Sequence, residues 1–521
     1  MRNVKKIKLF NFKRFHSFEI NFNEHMNLLV GDNESGKSTI LLALDIVLRG
    51  SRSKVETIGL DKLINNHVVE QFMIEHGGVE SLPSMVIEVY LNEQNDPDLN
   101  GKNNSDGLVC DGLRLCCSPI DEFLGEIGEI LSQENPIFPF EYYSISFSTF
   151  SGELYTGNRK FLKHLFVDNS QINNDYAARE YTKTIYNSNV EINEKNFHQN
   201  EYRRYKSNFK VSVLSDLNEK LGSYGFDIRT DTKSNLITDL TITEDGVSIE
   251  NKGKGRQCFI KTEFALQKNN IEQSLDVLLL EEPENHLSHT NMRKLVQRIS
   301  ETENKQIFVA THNSLICTRL DLRKVIMLNS LSENSATLET LPEETAKFFM
   351  KAPDNNILEF ILSNRVLLVE GDAEYILIDS IFKNTTGQKL EELEVHVISV
   401  GGTSFKRYLD IAKILNIRTA VIRDNDGDHE TNCIERYLQY QEENIKIFFD
   451  ENNNNSTFEI CFYEVNKEVC DELFEPGRRT LTVQDYMLSN KADSAFELMN
   501  KKARELVAPE YIRKAIEWIK E

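Results

Sequence analysis

MNLLVGDNESGKSTILLALDIVL, residues 26–48, decides the fold of the first part of this 521-residue chain. MNLLV reads as a buried strand, GDNESGKST at 31–39 is a GxxxxGK[ST] loop, and ILLALDIVL reads as a helix. Strand, loop and helix in that order are the setting in which a glycine-rich turn wraps phosphates. Gly31 and Gly36 let backbone N–H groups turn inward, Lys37 would reach the terminal phosphates, and Ser38 would offer a hydroxyl to Mg²⁺. Asn33 and Thr39 complete the set of expected ATP contacts. A chance glycine-rich turn would not carry both the spacing and the flanks.

Two later strands fit the same engine. SLDVLLLEEPENHLS at 274–288 is an apolar run ending in carboxylates, with Glu281 at the Mg²⁺-organising position and Glu282 as the base that orients attacking water. QIFVATHNSLI at 306–316 ends in Thr-His, and His312 is a candidate γ-phosphate contact. A lone histidine after a strand is usually structural; its order after the EEP motif favours function.

A second chemistry is written late in the chain. VLLVEGDAE at 366–374 and AVIRDNDGD at 420–428 are apolar runs that stop at Glu370/Asp372/Glu374 and Asp424/Asp426/Asp428. Carboxylates delivered to the C-terminal edge of a parallel sheet suit hard divalent cations, Mg²⁺ or Mn²⁺. Strands at 366–370, 394–400 and 419–423 alternate with helices at 373–384 and 404–415, a parallel-sheet pattern. VISVGGTSFKRYL at 397–409 adds Gly401, Gly402 and Thr403 at a strand-to-helix turn, a place for a phosphate or substrate strand. A solvated acidic face is the ordinary reading of any one cluster; two at successive strand ends weaken it.

Composition sets the limits. The length implies more than one domain. No apolar run spans a bilayer, and MRNVKKIKLFNF lacks a signal-peptide core, so a cytoplasmic protein without membrane contact is expected. Eight scattered cysteines form no CxxC knuckles and read as reduced thiols. A net charge of −22 disfavours nucleic acid as partner, yet acidic metal sites inflate it, and Lys5/Lys6/Lys8, Lys13/Arg14, Arg203/Arg204/Lys206 and Arg478/Arg479 remain as basic groups. Charge alone therefore decides nothing.

The phosphate loop, the EEPE strand, the ATHN strand and the opening KIKLFNFKRFHSFEINF together resemble ABC-type ATPase heads of the SMC, Rad50 and RecF kind. In those heads a signature loop precedes the second carboxylate strand; here IENKGKGRQCFIKTEFAL at 249–266 stands there, with Gly253, Lys254, Gly255 and Gln257 opening a helix. It departs from the LSGGQ-like form, but a helix N-terminus with Lys254 suits a phosphate from a facing subunit. An ordinary loop-to-helix turn is the alternative. The resemblance implies ATP sandwiched between two copies, hence a homodimer or higher oligomer. Residues 160–222 stand where such heads insert arms; they read as a short helical insertion for dimerisation.

VEGDAE followed by the DxD strand resembles the Toprim domain of topoisomerases, primases and nucleases. An ABC head followed by a Toprim domain resembles the OLD family of nucleases, over nearly the whole chain. That resemblance implies Glu370 as catalytic carboxylate, Asp424 and Asp426 as metal-holding residues, Glu374 and Glu459 as further ligands, and Lys491 as the residue that stabilises charge on the scissile phosphate. Asp372 and Asp428 stay open between ligand and lining. The expected architecture is α/β: ATPase parts at 1–159 and 223–354, the helical insertion at 160–222, and a Toprim domain at 355–521. The expected activity is ATP-regulated, two-metal hydrolysis of DNA phosphodiesters in antiphage defence, beside a reverse transcriptase with its small DNA or a helicase-like partner. A RecF- or Rad50-like repair ATPase whose Toprim domain binds DNA without cutting is the alternative.

Overall fold

The computed structural model describes every residue except 1, 158, 170–178, 180, 184, 188–189, 222, 230–234, 267–274, 331–332, 353–355, 403 and 477–479. Thr403, Arg478, Arg479 and the expected domain boundary near 355 thus lie outside the described residues. The chain divides into two compact units. One holds 1–312 and 328–335, the other 313–327 and 336–521.

In the first unit, β1 (Val4–Phe12), β2 (Phe15–Asn21), β4 (Met85–Leu91), β5 (Cys110–Pro119) and β6 (Tyr143–Thr149) form an antiparallel sheet in the order β2-β1-β4-β5-β6. A second sheet runs parallel through β3 (Met26–Gly31), β9 (Gln306–Ala310), β8 (Val277–Glu281) and β7 (His164–Asp168), in that order. Leu28–Val30, Leu278–Leu280 and Ile307–Val309 are fully buried. Burial on both faces explains why these strands read as continuous apolar runs rather than alternating ones. Helix α1 (Lys37–Arg49) follows β3 directly and ends at Gly50 in the left-handed region.

β7 corrects the sequence reading. Residues 164–168 fall inside the stretch read as helical, yet HLFVD pairs in register with β8. The strand also answers a buried charge on α1. Asp45 is fully buried, takes a 2.8 Å hydrogen bond from His164 and pairs with Arg49 and Lys54. A buried carboxylate needs such partners, and the strand brings His164 to it. Helical residues follow at 179, 181–183 and 185–187, and a longer helix spans Ile192–Val213, none of whose residues is buried.

In the second unit β10 (Arg365–Val369), β11 (Val395–Ser399), β12 (Arg418–Ile422) and β13 (Ile445–Phe448) form an all-parallel sheet in the order β11-β10-β12-β13. Helices α3 (Asp372–Thr386) and α4 (Phe405–Leu415) are the crossovers, within two residues of the expected bounds. Among the later helices are α5 (Phe458–Val465), α6 (Lys491–Lys502) and α7 (Glu510–Lys520), with short helices at Lys467–Phe474 and Val483–Ser489 between α5 and α6. Leu377, Ile378, Ile381 and Phe382 of α3 share a core with Leu498 of α6 and Ile512, Ala515, Ile516 and Ile519 of α7. These spacings of three and four put each set on one helical face.

The chain leaves β10 toward β11 on one side and leaves β12 toward β13 on the other. Adjacent parallel strands whose connections diverge open a crevice at their carboxyl ends. Glu370 and Asp424 stand at the two ends that flank that crevice.

Candidate functional site

In the first unit a cavity of about 720 Å³ is lined by Asn33, Gly36, Lys37, Ser38, Thr39, Glu281, Glu282 and His312. Three segments far apart in sequence thus converge as expected, since β3, β8 and β9 lie side by side. Gly31 and Gly36 cannot carry a side chain. A Cβ at Gly31 would fall 2.2 Å from the Leu328 carbonyl oxygen, and one at Gly36, where φ is 102°, would fall 2.4 Å from the Phe15 ring.

Lys37 folds back onto its own loop, donating to the carbonyls of Gly31 (2.8 Å) and Asp32 (2.7 Å). Burial pushes its ammonium down to about 8, against the pull of Asp32, Glu282 and Glu281. A triphosphate would replace two neutral acceptors with charged ones, so the lysine is poised to exchange partners. Burial raises Glu281, opposed by a hydrogen bond from Ser38 and reinforced by Asp168 and Glu282. The Ser38–Glu281 pair is the expected Mg²⁺-organising pair, already in contact. Glu282 adopts a left-handed backbone (φ 44°) and accepts a 2.6 Å hydrogen bond from Asn285. His312 is depressed by burial and by Lys37, which keeps its imidazole neutral.

Other groups here escaped the sequence reading. Glu284 accepts from Thr311 Oγ1 (2.6 Å) and the His312 N–H (3.1 Å), fixing the turn that presents His312. Lys13, Arg14 and Lys62 line the same cavity. Arg14 is anchored on the carbonyls of Glu34 and Ser330, at 2.7 and 2.8 Å. No local motif marks these cations; only the fold shows them.

The signature candidates stand elsewhere. Gly253, Lys254 and Gly255 are absent from the cavity lining. Lys254 opens α2 (Lys254–Leu266), and a Cβ at Gly255 would fall 2.1 Å from the His286 carbonyl oxygen. Gln257 spends its amide on the Lys252 carbonyl, at 2.7 Å. Within one chain, Gly255 therefore serves close packing against the loop after Glu284.

In the second unit, four carboxylates come together from three connections. Glu370 follows β10 and Glu374 lies one turn into α3. Asp424 follows β12, and Glu459 lies in the first turn of α5. Lys491, the first residue of α6, places its Nζ 2.9 Å from Glu459 Oε2. Glu374 and Glu459 are both buried. Burial, then Glu459 and Glu370, raise Glu374 to about 7; burial, then Glu374, Glu370 and Glu459, raise Asp424 to about 8. Lys491 opposes both shifts. Burial works against its own charge, but Glu459, Asp424 and Glu374 hold it above its usual value. Lys491 on Glu459 and Arg423 on Glu370 still leave the four carboxylates with an excess of negative charge that oxygen-seeking divalent cations would balance, so the donor set fits Mg²⁺ or Mn²⁺. Among the described residues, no three His, Cys, Asp or Glu side chains yet close on one point.

Asp426 stands apart from that group. It is 49% exposed, its backbone is left-handed (φ 50°), and its Oδ2 accepts from Arg423 Nη2 at 2.7 Å. The other guanidinium nitrogen of Arg423 pairs with Glu370. Arg423, missed in the sequence, is 1% exposed and the largest fully buried side chain among the described residues, where its Nε finds no hydrogen-bond partner. Neighbouring Asn425 clamps the loop by donating to the carbonyls of Asp450 and Asn452, at 2.7 and 3.1 Å. Asp428 accepts from the Thr431 N–H and Asp372 begins α3; neither joins the carboxylate group. Gly401 and Gly402 both have positive φ, and the Gly402 N–H donates to the Glu370 carbonyl at 3.1 Å.

Comparison with known proteins covers both units. Residues 361–426 match the "Overcoming lysogenization defect protein-like, TOPRIM domain" model, residues 3–224 an AAA ATPase domain, and residues 264–318 a further AAA domain. The Old nuclease of Escherichia phage P2 is 23% identical over 175 residues, 31% of this chain and 30% of that protein. The DNA replication and repair protein RecF of Clostridium kluyveri is 22% identical over 174 residues, 32% of this chain and 44% of that protein. The chain thus aligns with less than half the length of either relative. Among solved structures, the C-terminal region of the Xanthomonas campestris pv. campestris OLD protein is 23% identical, with a TM-score of 0.22 over 30% of this chain and 94% of that one. The SMC head domain from Thermotoga maritima is 16% identical, with a TM-score of 0.31 over 64% and 97%. No helix among the described residues is long and apolar enough to cross a membrane.

Proposed function

We propose that this OLD-family protein, which joins an AAA-type ATPase domain to a Toprim domain, is an ATP-regulated, divalent-metal-dependent DNA endonuclease. One observation carries the reading: Glu370, Glu374, Asp424 and Glu459 are gathered at a topological switch point, with Lys491 as their only ammonium among the described residues. Such an arrangement costs stability unless it is used, because buried like charges force protons onto Glu374 and Asp424.

Glu374, Asp424 and Glu459 are the residues that would hold Mg²⁺ or Mn²⁺. Bound there, the ion would lower the pKa of water and offset charge on the phosphate. Glu370 sits beside the group as acceptor for the proton of the attacking water. The water oxygen forms the new P–O bond, the bond to the leaving sugar oxygen breaks, and that oxygen takes up a proton. Lys491 is placed to donate to a non-bridging phosphate oxygen as charge grows there.

The nucleotide cavity supplies control. Asn33, Gly36, Lys37, Ser38 and Thr39 would hold ATP and Glu281 its Mg²⁺, while Glu282 orients water and His312 contacts the γ-phosphate. Gly253, Lys254 and Gly255 would serve a nucleotide on a second copy, which makes the working form a homodimer or larger. A defence role against phage, beside a reverse transcriptase with its small DNA or a helicase-like protein, completes the reading.

The experiment is cleavage of supercoiled, linear and single-stranded DNA with Mg²⁺ or Mn²⁺, with and without ATP, against Glu370→Ala. Undiminished cutting by that variant would sink the assignment. A second reading, a repair ATPase whose Toprim domain binds DNA without cutting, is favoured by the likeness to RecF. It predicts DNA binding without cleavage under every metal condition.

A further inference from the structure

The carboxylates of the second unit fall into two sets by the cation that faces them. Glu374, Asp424 and Glu459 face Lys491. Glu370 and Asp426 are both gripped by Arg423, one on each terminal guanidinium nitrogen. A surface arginine reaching into an acidic site would be incidental, but Arg423 is no surface group. It is the last residue before the Asp424 turn, its N–H donates to the Phe448 carbonyl at 3.0 Å, and its guanidinium lies 5.9 Å from the Phe405 ring. Burying an arginine this completely costs several kcal/mol unless fixed partners answer its charge. Glu370 and Asp426 are those partners, and the positive-φ turn at Asp426 aims that carboxylate back at it.

We propose that Arg423 is a built-in cation standing where a second metal ion would otherwise sit, so that this Toprim centre works with one divalent ion. The inference rests on the reading of the cluster as a metal-dependent hydrolytic centre and changes its composition. Glu374, Asp424 and Glu459 hold the single ion. Asp426 is not a ligand but the outer anchor of Arg423. Arg423 is a positioning residue: it fixes the Glu370 carboxylate and supplies the positive charge beside it. The two-metal expectation drawn from the sequence counted Asp426 and Glu370 as available ligands; a fully buried guanidinium already satisfies one oxygen of each.

The test counts ions rather than cuts. Nucleotide-free full-length protein is titrated with Mn²⁺, and the free ion is followed by electron paramagnetic resonance. The wild type binds one Mn²⁺ per chain, abolished in Glu374→Gln. Arg423→Gln, which frees both carboxylates, binds two; Arg423→Lys, which keeps the charge, still binds one. Asp426→Asn leaves Arg423 in place and keeps Mn²⁺ affinity within about threefold, so the question is answered even where Arg423→Gln does not fold. Two ions in the wild type, or loss of an ion in Asp426→Asn, overturns the inference and leaves metal-dependent cleavage standing. Binding of no ion overturns both.

Discussion

Replacing Asp424 by asparagine should stabilise the metal-free second unit while abolishing metal binding. Asp424 titrates near 8 in the folded chain, against an ordinary 3.8. A group raised in this way adds stability at low pH that is lost as pH rises through its folded value. At pH 7 the gap from the ordinary value is about 3 pH units, which at about 1.4 kcal/mol each is a penalty of about 4 kcal/mol. Asparagine, neutral and nearly the same shape, avoids it. Glu374 and Asp424 titrate as a coupled pair, so the value for one overstates its separate cost, and a net gain of about 2 kcal/mol is expected. The gain should vanish near pH 4 and grow through pH 8. Trp518, the only tryptophan, packs against Phe448 with ring centroids 6.0 Å apart, and its fluorescence reports on this unit alone. Urea unfolding in EDTA at pH 4.5, 7 and 8.5 gives the comparison. A variant less stable than wild type, or a difference that ignores pH, would refute the claim that burial among like charges governs this site.

Four further outcomes are expected. Mn²⁺ uptake at pH 7 should release about one proton per chain, because Glu374 and Asp424 titrate near 7 and 8, and the release should fade above pH 9; calorimetry in buffers of different ionisation enthalpy measures it. Lys491→Ala should lower the cleavage rate by about 10²-fold, with DNA affinity changed far less. Lys62→Ala should weaken binding of a non-hydrolysable ATP analogue by about tenfold, as expected for one phosphate-facing cation, and leave thermal stability unchanged, since Lys62 is exposed at the cavity rim. Gly255→Ala should destabilise the first unit by about 1–3 kcal/mol, seen by calorimetry, because its Cβ would press on the His286 carbonyl.

Much was legible because it is local. The phosphate loop needs glycines, a lysine and a hydroxyl at fixed spacing, and GDNESGKST states them consecutively. The parallel strands were readable because strands buried on both faces must be apolar throughout. The carboxylates at the ends of β10 and β12 were visible because two acidic clusters at successive strand ends are harder to read as a solvated face than one. Even Lys491 came within reach, since it opens a helix and matched a familiar pattern.

What tertiary structure decided is pairing between residues distant in sequence. HLFVD lies in a stretch the sequence reads as helical, because five residues carry no period long enough to tell; in the fold it pairs as a strand beside β8 and brings His164 to buried Asp45. Lys13 and Lys62 belong to no motif; the β1–β2 turn carries one and the short helix Leu60–Leu63 the other, and only the fold brings both to the cavity. Arg423 stands in plain view in AVIRDNDGD, yet nothing in that string says which way it points. A guanidinium buried to 1% exposure between Glu370 and Asp426 is a fact of the folded sheet alone. The sequence determined that carboxylates meet at this edge; the fold decided which of them already have a cation.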